Sequence, residues 1–345
     1  MFYFRADGNE KIAMGHVMRC LTIAEALRER GEKVLFLTAD ESPVQFIEKR
    51  GFGVKVLHGR YDELETELPR ITEILAGNSG EGRTGIVVDS YFVTPYYLEK
   101  LRQSAKVILM DDEKKAVYPC DGLVNYNIFG KTLGYEKDYP SGTRLFLGCD
   151  YMPLRRQFQN CSYTVRDRVK NILFTTGGGD SLHIALCMAE RLMGSENPEI
   201  GGPVWHIVCG PYHPDTEKLE KMAKERPFLQ IHKNVTNMSE LMQECDLAVA
   251  AAGSTLYELC SIGVPAVGFY FVENQRRNME TFEELTSIRN AGDFSADPER
   301  VIEVIEKEEE RLCREKGLRE RISQTMRNVV DGRGAQRLAE GMLSL

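Results

Sequence analysis

Apolar runs alternate with amphipathic segments along most of this 345-residue chain. The first run, Met1–Phe4, predicts a strand, and a polar loop follows it. From Val17 onward, apolar residues recur at helical spacing as far as Gly31, which predicts a helix that ends at this glycine. The chain therefore begins with a strand, a glycine-bearing loop and a helix, and His16 lies at the helix N-terminus.

The alternation continues in two blocks. Uninterrupted apolar runs such as Ile86–Val88 are typical of central parallel strands that helices cover on both faces. The polar, weakly periodic segment Arg155–Arg168 separates the blocks, and the pattern restarts at Asn171. We predict an α/β protein with two Rossmann-like, doubly wound domains that face a cleft. The predicted divisions are an N-terminal domain over 1–155, a C-terminal domain over 169–325, and a C-terminal helix over 326–345 that packs back toward the N-terminal domain.

Composition narrows the class of protein. The net charge of −8 argues against a nucleic-acid-binding surface. The sequence has no apolar run of about 18 residues, so we expect no membrane span. Arg5 and Asp7 interrupt any secretory signal pattern, and the nine cysteines are scattered without paired spacing. These features predict a cytoplasmic enzyme with reduced thiols.

Gly15-His16 is the first candidate for chemistry. A helix start presents unpaired N–H groups and partial positive charge, which attract anionic substrates. A neutral imidazole placed there can accept a proton. The alternative is that His16 is an ordinary polar residue at a helix start.

Gly177-Gly178-Gly179-Asp180 lies between a predicted strand and a predicted helix. Glycines let backbone N–H groups approach a phosphate closely. The alternative is a tight turn in which Asp180 caps the helix. The spacing fits neither the dinucleotide-binding fingerprint nor the P-loop, so NAD-dependent and P-loop enzymes are disfavoured.

A third candidate follows another predicted strand, where Gly253-Ser254-Thr255 opens a helix that carries Glu258 one turn later. The hydroxyls and N–H groups of such a turn suit a phosphate, and a carboxylate suits the two hydroxyls of a ribose. The alternative is a capped helix start with Glu258 facing solvent.

Asp111-Asp112-Glu113 is a cluster of acidic residues that suggests a metal site. No histidine lies nearby, and the spacing matches no familiar ligand set. Capping and loop hydrogen bonds are therefore favoured, and we predict neither a metal nor a cofactor.

The second-domain motifs Gly-Ser-Thr-x-x-Glu and Gly-x-Pro resemble those of nucleotide-sugar enzymes with the GT-B fold, including the glycosyltransferase that builds lipid II. The first-domain motifs are more specific. They resemble the hydrolase of pseudaminic acid biosynthesis that cleaves UDP-2,4-diacetamido-2,4,6-trideoxy-β-L-altropyranose. The motifs that carry this resemblance are Arg5-Ala-Asp7, Met14–Leu21, Val88–Tyr91, Asp111-Asp112, Asn125–Asn127, Gly177-Gly178 and Ala252–Glu258.

The resemblance implies hydrolysis of a UDP-sugar with inversion at the anomeric carbon. His16 would be the general base, and Tyr91 and Asn127 would position the sugar or the water. The uracil would meet the segment 234–238, and the ribose would meet Glu258. Substrate and UDP-binding residues would be Asp7, Gly15, Arg19, Gly177, Gly178, Val235, Met238, Gly253, Ser254, Thr255, Glu258, Asn274 and Gln275.

Two other functions fit the same residues. A glycosyltransferase would use an acceptor hydroxyl in place of water, and Phe92–Tyr97 is the candidate acceptor surface. A non-catalytic nucleotide-sugar-binding subunit would bind UDP without using His16. In each case the expected partner is a UDP-sugar, with neither nucleic acid nor membrane, and the sequence leaves the oligomeric state open.

Overall fold

The computed structural model describes residues 1–77, 84–194, 202–210 and 213–345. The chain forms two compact units. The first unit comprises Met1–Arg155 together with Arg333–Leu345, and the second unit comprises Arg156–Gly332. In the described part of the chain, no helix is long and apolar enough to cross a membrane.

The first unit is built on a seven-stranded, all-parallel sheet with the order β3-β2-β1-β4-β5-β6-β7. Its strands are β1 (Phe2–Ala6), β2 (Val34–Thr38), β3 (Gly53–Val56), β4 (Gly85–Asp89), β5 (Lys106–Met110), β6 (Gly122–Asn125) and β7 (Arg144–Leu147). Its helices before the second unit are α1 (Gly15–Glu29), α2 (Val44–Glu48), α3 (Leu68–Ala76), α4 (Pro95–Arg102) and α5 (Tyr135–Asp138).

Apolar cores cover both faces of this sheet. Phe4 belongs to the core that includes α1, whereas its neighbour Tyr3 belongs to the core that includes α3 and α4. Successive side chains of a strand point to opposite faces, so a strand buried on both faces needs an unbroken apolar run. This is why Met1–Phe4 carries no polar alternation.

The second unit is built on a six-stranded, all-parallel sheet with the order β10-β9-β8-β11-β12-β13. Its strands are β8 (Asn171–Thr175), β9 (Val204–Cys209), β10 (Leu229–Lys233), β11 (Leu247–Ala251), β12 (Ala266–Tyr270) and β13 (Arg289–Asp293). Its helices are α6 (Ile184–Gly194), α7 (Thr216–Glu225), α8 (Met238–Glu244), α9 (Ser254–Ile262), α10 (Glu273–Thr286), α11 (Pro298–Arg314) and α12 (Lys316–Val329).

The chain returns to the first unit in its last helix, α13 (Gly334–Leu343), which packs on α1. Leu338 and Met342 enter the same core as Phe4. Gly341 lies so close to Phe146 that a Cβ added to the glycine would come within 2.2 Å of the aromatic ring. The helix that carries His16 is thus packed against the last helix of the chain.

Each sheet reverses its strand order once, between β1 and β4 in the first unit and between β8 and β11 in the second. In doubly wound sheets, ligands bind beyond the carboxyl ends of the strands at such a reversal. The prediction of two doubly wound α/β domains is confirmed, and each unit provides one such position.

Candidate active site

His16 lies in the first turn of α1, beyond the carboxyl end of β1. Asp89 is the last residue of β4, which pairs with β1 through the Ala6–Asp89 register. The strand pairing therefore brings two residues 73 positions apart together, and His16 Nδ1 lies 2.7 Å from Asp89 Oδ1. Both side chains are buried.

Asp89 is ionised by its surroundings. Arg19 donates to both carboxylate oxygens, from Nε at 2.6 Å and from Nη2 at 2.5 Å. Burial acts to raise the pKa of Asp89, but the charges and hydrogen bonds of Arg19 and His16 outweigh it and hold the pKa well below its usual range. The carboxylate is consequently a hydrogen-bond acceptor only.

The tautomer of His16 follows from this contact. Because Asp89 only accepts, Nδ1 of His16 must donate, and the lone pair of the neutral ring resides on Nε2. Arg19 Nη2 also lies 3.2 Å from Nδ1, but it has its own acceptor in Asp89. The pair thus presents a proton-accepting nitrogen away from the carboxylate, which is the arrangement of a general base held by an acid.

Arg19 was predicted to bind substrate, but in the structure its guanidinium donates hydrogen bonds to other side chains of the protein. Besides Asp89, it donates from Nη1 to Asp112 Oδ2 at 2.7 Å and to the Tyr126 hydroxyl at 2.6 Å. A group surrounded by these acceptors has little capacity left for a ligand. We therefore expect Arg19 to hold the two carboxylates in place and not to contact substrate.

Tyr91 and Asn127, the other predicted catalytic residues, both approach Asp112. The Tyr91 hydroxyl and the Asn127 amide nitrogen each lie 3.5 Å from an Asp112 oxygen. The Tyr91 ring meets the His16 ring edge-on at 4.7 Å between centroids. Burial, followed by the charge of Asp112, raises the pKa of Tyr91 to about 12, so its hydroxyl stays protonated and able to donate at neutral pH.

A depression in the first unit opens beside His16. Its lining residues are Asp7, Ile12, His16, Asp89, Ser90, Tyr91 and Phe92. The loop ahead of His16 is shaped by Asn9, whose side-chain oxygen accepts hydrogen bonds from the backbone N–H groups of Lys11 and Ile12. This places a pocket of mixed polar and aromatic character at the reversal of strand order.

Asp7 lines this pocket, but its carboxylate already has internal partners. It accepts from Arg5 Nη1 at 2.5 Å and from the backbone N–H of Ala39 at 2.7 Å. Arg5 also binds Glu67, and all three charged side chains are buried. Asp7 is therefore tied to β1 and to the residue after β2, and its contact with substrate stays a prediction.

Asp111 makes loop hydrogen bonds, which the sequence favoured over a metal site. Its Oδ1 accepts from the N–H groups of Glu113 and Lys114, and its Oδ2 accepts from the Tyr135 hydroxyl. Among the described residues, no cluster of three or more histidine, cysteine or acidic side chains has the geometry to hold a metal ion.

The predicted UDP-binding residues of the second unit follow three of its strands. Gly177 and Gly178 come after β8, Val235 and Met238 after β10, and Gly253, Ser254, Thr255 and Glu258 after β11. Met238 is buried, so its role in binding uracil stays a prediction. The structure brings these groups to the carboxyl edge of one sheet, where parallel strands place them together.

The start of α9 differs from the capped alternative. Gly253 is the N-cap residue, and within the described part of the chain no side chain caps this helix. A Cβ added to Gly253 or Gly178 would meet nothing within 4 Å, so space lies open above both turns. An uncapped helix start under open space is suited to a phosphate.

The remaining predicted residues lie at the start of α10 and α1. Asn274 is exposed, whereas Gln275 uses its side-chain oxygen to accept the N–H of Phe271 at 3.2 Å. Gly15 is exposed at the first position of α1. The binding roles of these three residues stay predictions.

Asp89, the partner of His16, and Asp112, a partner of Arg19, complete the site, although the sequence did not mark either one in this role. A signal was present, because each follows an apolar run that reads as a strand, and carboxyl ends of neighbouring parallel strands meet at one edge. What the sequence lacked was the strand order that makes β4 the neighbour of β1.

Comparisons with known proteins agree with this architecture. Residues 184–331 match the model of the glycosyltransferase family 28 C-terminal domain. The whole chain superimposes on the crystal structure of Acinetobacter baumannii MurG with a TM-score of 0.69 at 14% identity, covering 100% of this chain and 99% of that one. This likeness shows the GT-B glycosyltransferase fold.

Two relatives found by sequence comparison have names that describe a role in carbohydrate biosynthesis or hydrolysis. The chain is 27% identical to the spore coat polysaccharide biosynthesis protein SpsG of Bacillus subtilis, over 96% of this chain and 95% of that protein. It is 24% identical to the UDP-2,4-diacetamido-2,4,6-trideoxy-β-L-altropyranose hydrolase of Campylobacter jejuni, over 79% of this chain and 92% of that protein. The resemblance predicted from the motifs is therefore confirmed.

A further relative is an uncharacterized protein of Methanocaldococcus jannaschii, 27% identical over 78% of this chain. The match spans 55% of that protein, so this chain corresponds to about half of its length.

Proposed function

We propose that this protein hydrolyses a UDP-linked diacetamido-trideoxy hexose to UDP and the free sugar, as a step of pseudaminic (nonulosonic) acid biosynthesis. The observation that carries the proposal is the His16–Asp89 pair, which leaves the proton-accepting nitrogen of His16 available beside a pocket. Similarity to a hydrolase of this substrate supports the choice of sugar.

In the proposed reaction, His16 Nε2 removes a proton from water as the water oxygen attacks the anomeric carbon. The bond between that carbon and the diphosphate oxygen breaks, and UDP departs with the electron pair. Attack opposite the leaving group inverts the anomeric centre. Asp89 stabilises the imidazolium that forms, and Tyr91 and Asn127 orient the sugar or the water.

The leaving group needs stabilisation of its charge more than a proton. We assign this role to the uncapped start of α9 at Gly253, Ser254 and Thr255, together with the Gly177-Gly178 turn. Glu258 would bind the ribose hydroxyls, and backbone groups near Val235 and Met238 would bind the uracil. No step in this scheme requires a metal ion.

The test is to incubate the purified protein with UDP-2,4-diacetamido-2,4,6-trideoxy-β-L-altropyranose in ¹⁸O-labelled water, without any acceptor. We expect UDP and free sugar in equal amounts, with one ¹⁸O in the sugar and none in the UDP. Label in the UDP would mean that a phosphorus–oxygen bond breaks, which contradicts the mechanism. A panel of other UDP-diacetamido sugars, analysed by mass spectrometry, defines the sugar specificity.

A glycosyltransferase is the second candidate, and one observation favours it. Tyr91 and Phe92 line the pocket and are 46% and 42% exposed, and Tyr96, four residues after Phe92, is 52% exposed. Exposed aromatic residues are typical of surfaces that bind an acceptor or a partner. A transferase would release little UDP from the acceptor-free reaction and much more after an acceptor alcohol is added.

A nucleotide-sugar-binding subunit without its own activity is distinguished by the same assay. Such a protein would bind UDP but release none from the sugar nucleotide, whatever acceptor is present.

A further inference from the structure

The second unit contains another histidine–aspartate pair, formed by His183 and Asp215. Nδ1 of His183 bonds to Asp215 Oδ2, and Lys218 Nζ donates to the other carboxylate oxygen at 3.0 Å. The Asp215 side chain is 2% exposed, whereas the His183 side chain is 53% exposed. One end of the imidazole is therefore anchored in the protein and the other faces outward.

The charges around His183 fix its tautomer. Burial acts to raise the pKa of Asp215, but the hydrogen bonds from His183 and Lys218 outweigh it and lower the pKa. An ionised Asp215 only accepts, so Nδ1 of His183 carries a proton. Nε2 faces outward and becomes a cationic donor when the ring takes up a second proton.

His183 lies four residues beyond the glycine turn that we assign to the diphosphate. Its backbone is left-handed, with a φ of 57°, which is uncommon for a residue other than glycine. A Cβ added to Gly177, Gly178 or Gly179 would meet nothing within 4 Å. The glycine turn thus leaves open space, and the half-exposed imidazole follows it along the chain.

A second histidine, His213, lies near the same pair. Its Nδ1 accepts the backbone N–H of Asp215 at 3.3 Å, which leaves the proton of the neutral ring on Nε2. That nitrogen lies 3.2 Å from Asp180 Oδ2 in a side chain that is 2% exposed, and Asp180 also accepts from the N–H groups of Ile184 and Ala185. His213 is therefore held inside the protein, whereas the side chain of His183 is 53% exposed.

We propose that His183 is a diphosphate-binding residue, which donates a charge-assisted hydrogen bond from Nε2 to the pyrophosphate of the bound nucleotide. The anchoring aspartate orients the ring, and Lys218 adds a positive charge beside the pair. This inference rests on the proposed function, because it takes the second unit as the UDP-binding unit. It assigns to His183 the stabilisation of charge on the departing UDP.

Calorimetric titration with UDP and with uridine tests the role, because only UDP carries the pyrophosphate. The main variant is His183→Asn, since asparagine tolerates a left-handed backbone but lacks the reach and charge of the ring. Charge-assisted hydrogen bonds contribute enough to predict a loss of about tenfold or more in UDP affinity, with uridine affinity unchanged. His183→Arg restores a cationic donor and should retain most of the UDP affinity.

The matched control is His58→Asn. His58 is also exposed and left-handed, with a φ of 54°, and lies in the first unit after β3. We expect it to bind UDP as the unaltered protein does. A second readout is proton uptake, measured by repeating the UDP titration in buffers of different ionisation enthalpy, which should fall in His183→Asn relative to the unaltered protein.

The outcomes separate this inference from the proposed function. UDP binding that is insensitive to His183→Asn, or an equal loss of UDP and uridine binding, overturns the diphosphate role and leaves the proposed function standing. Failure of the unaltered protein to bind UDP overturns both.

Discussion

The two histidine–aspartate pairs use the same anchoring contact in different surroundings. In the first unit, His16 and Asp89 are both buried and Arg19 binds both oxygens of the carboxylate. In the second unit, Asp215 is buried but His183 is half exposed, and Lys218 binds a single carboxylate oxygen. An aspartate can therefore fix a tautomer in either setting, and the surroundings decide what the ring does next.

Burial is the main physical difference. A buried ring beside a desolvated carboxylate interacts with it more strongly than it would in water, which suits a base that must hold a developing positive charge. A half-exposed ring that follows a glycine turn along the chain is accessible to anions, which suits binding. This contrast predicts that changing His16 lowers turnover, whereas changing His183 lowers UDP affinity.

The largest expected effect is on turnover in His16→Gln. Glutamine can still donate to Asp89 but cannot accept a proton, so we expect turnover to fall at least about a hundredfold while UDP affinity stays within about twofold. Initial rates of UDP release and calorimetry measure the two quantities, with His58→Asn as the matched control. Parallel losses of turnover and UDP affinity would remove the distinction between the pairs.

Asp89→Asn tests whether the carboxylate sets the tautomer of His16. We expect turnover to fall by about ten- to a thousandfold, since an amide can no longer enforce Nδ1–H or stabilise the imidazolium. ¹⁵N NMR of the His16 ring provides a direct readout, and an unchanged Nδ1–H tautomer in the variant would contradict the role of Asp89.

A smaller effect is expected where the last helix supports α1. Gly341→Ala places a methyl group against Phe146, and overpacking of this kind costs about 1–3 kcal/mol of unfolding free energy. Circular dichroism during urea unfolding measures the loss, and UDP affinity, which we attribute to the second unit, should not change. Gly142→Ala is the control, because a Cβ there meets nothing within 4 Å. Equal stability of the two variants would contradict the close packing at Gly341.

The smallest effect concerns acid stability. The pKa of Asp89 is lower in the folded protein than its unfolded value of about 4, so the unfolded state binds more protons between these values. The stability from Asp89 is present above about pH 4 and is lost as the pH falls toward the folded pKa. Urea unfolding at several acid pH values should show a weaker pH dependence in Asp89→Asn, and identical slopes would contradict the shift.

Much of the fold could be predicted from local patterns. Unbroken apolar runs identified the buried parallel strands, and the restart of the pattern at Asn171 indicated a second domain. The position of His16 after the first strand and at a helix start was also visible, because glycine and helical periodicity are local signals. The sequence also offered Asp180 as a helix cap, as the alternative to a phosphate-binding turn. This role is local too, because Asp180 accepts from N–H groups four and five residues further along the chain.

Contacts between distant segments were not predictable in this way. The resemblance implied that Arg19 binds substrate or UDP, but strands β4 and β5 bring Asp89 and Asp112 to it. Asp7 was predicted to bind substrate, but its carboxylate accepts hydrogen bonds from Arg5 and from the N–H of Ala39.

The sequence by itself determined two doubly wound α/β domains and the position of a histidine beyond the first strand. The tertiary structure decided that this histidine contacts Asp89 and that Arg19 bonds to acidic side chains within the protein. It also decided that a second histidine, His183, is anchored by an aspartate. The reason is that periodicity and capping depend on residues a few positions apart, whereas strand order and burial set the charge and tautomer of a side chain through residues 32 to 93 positions away.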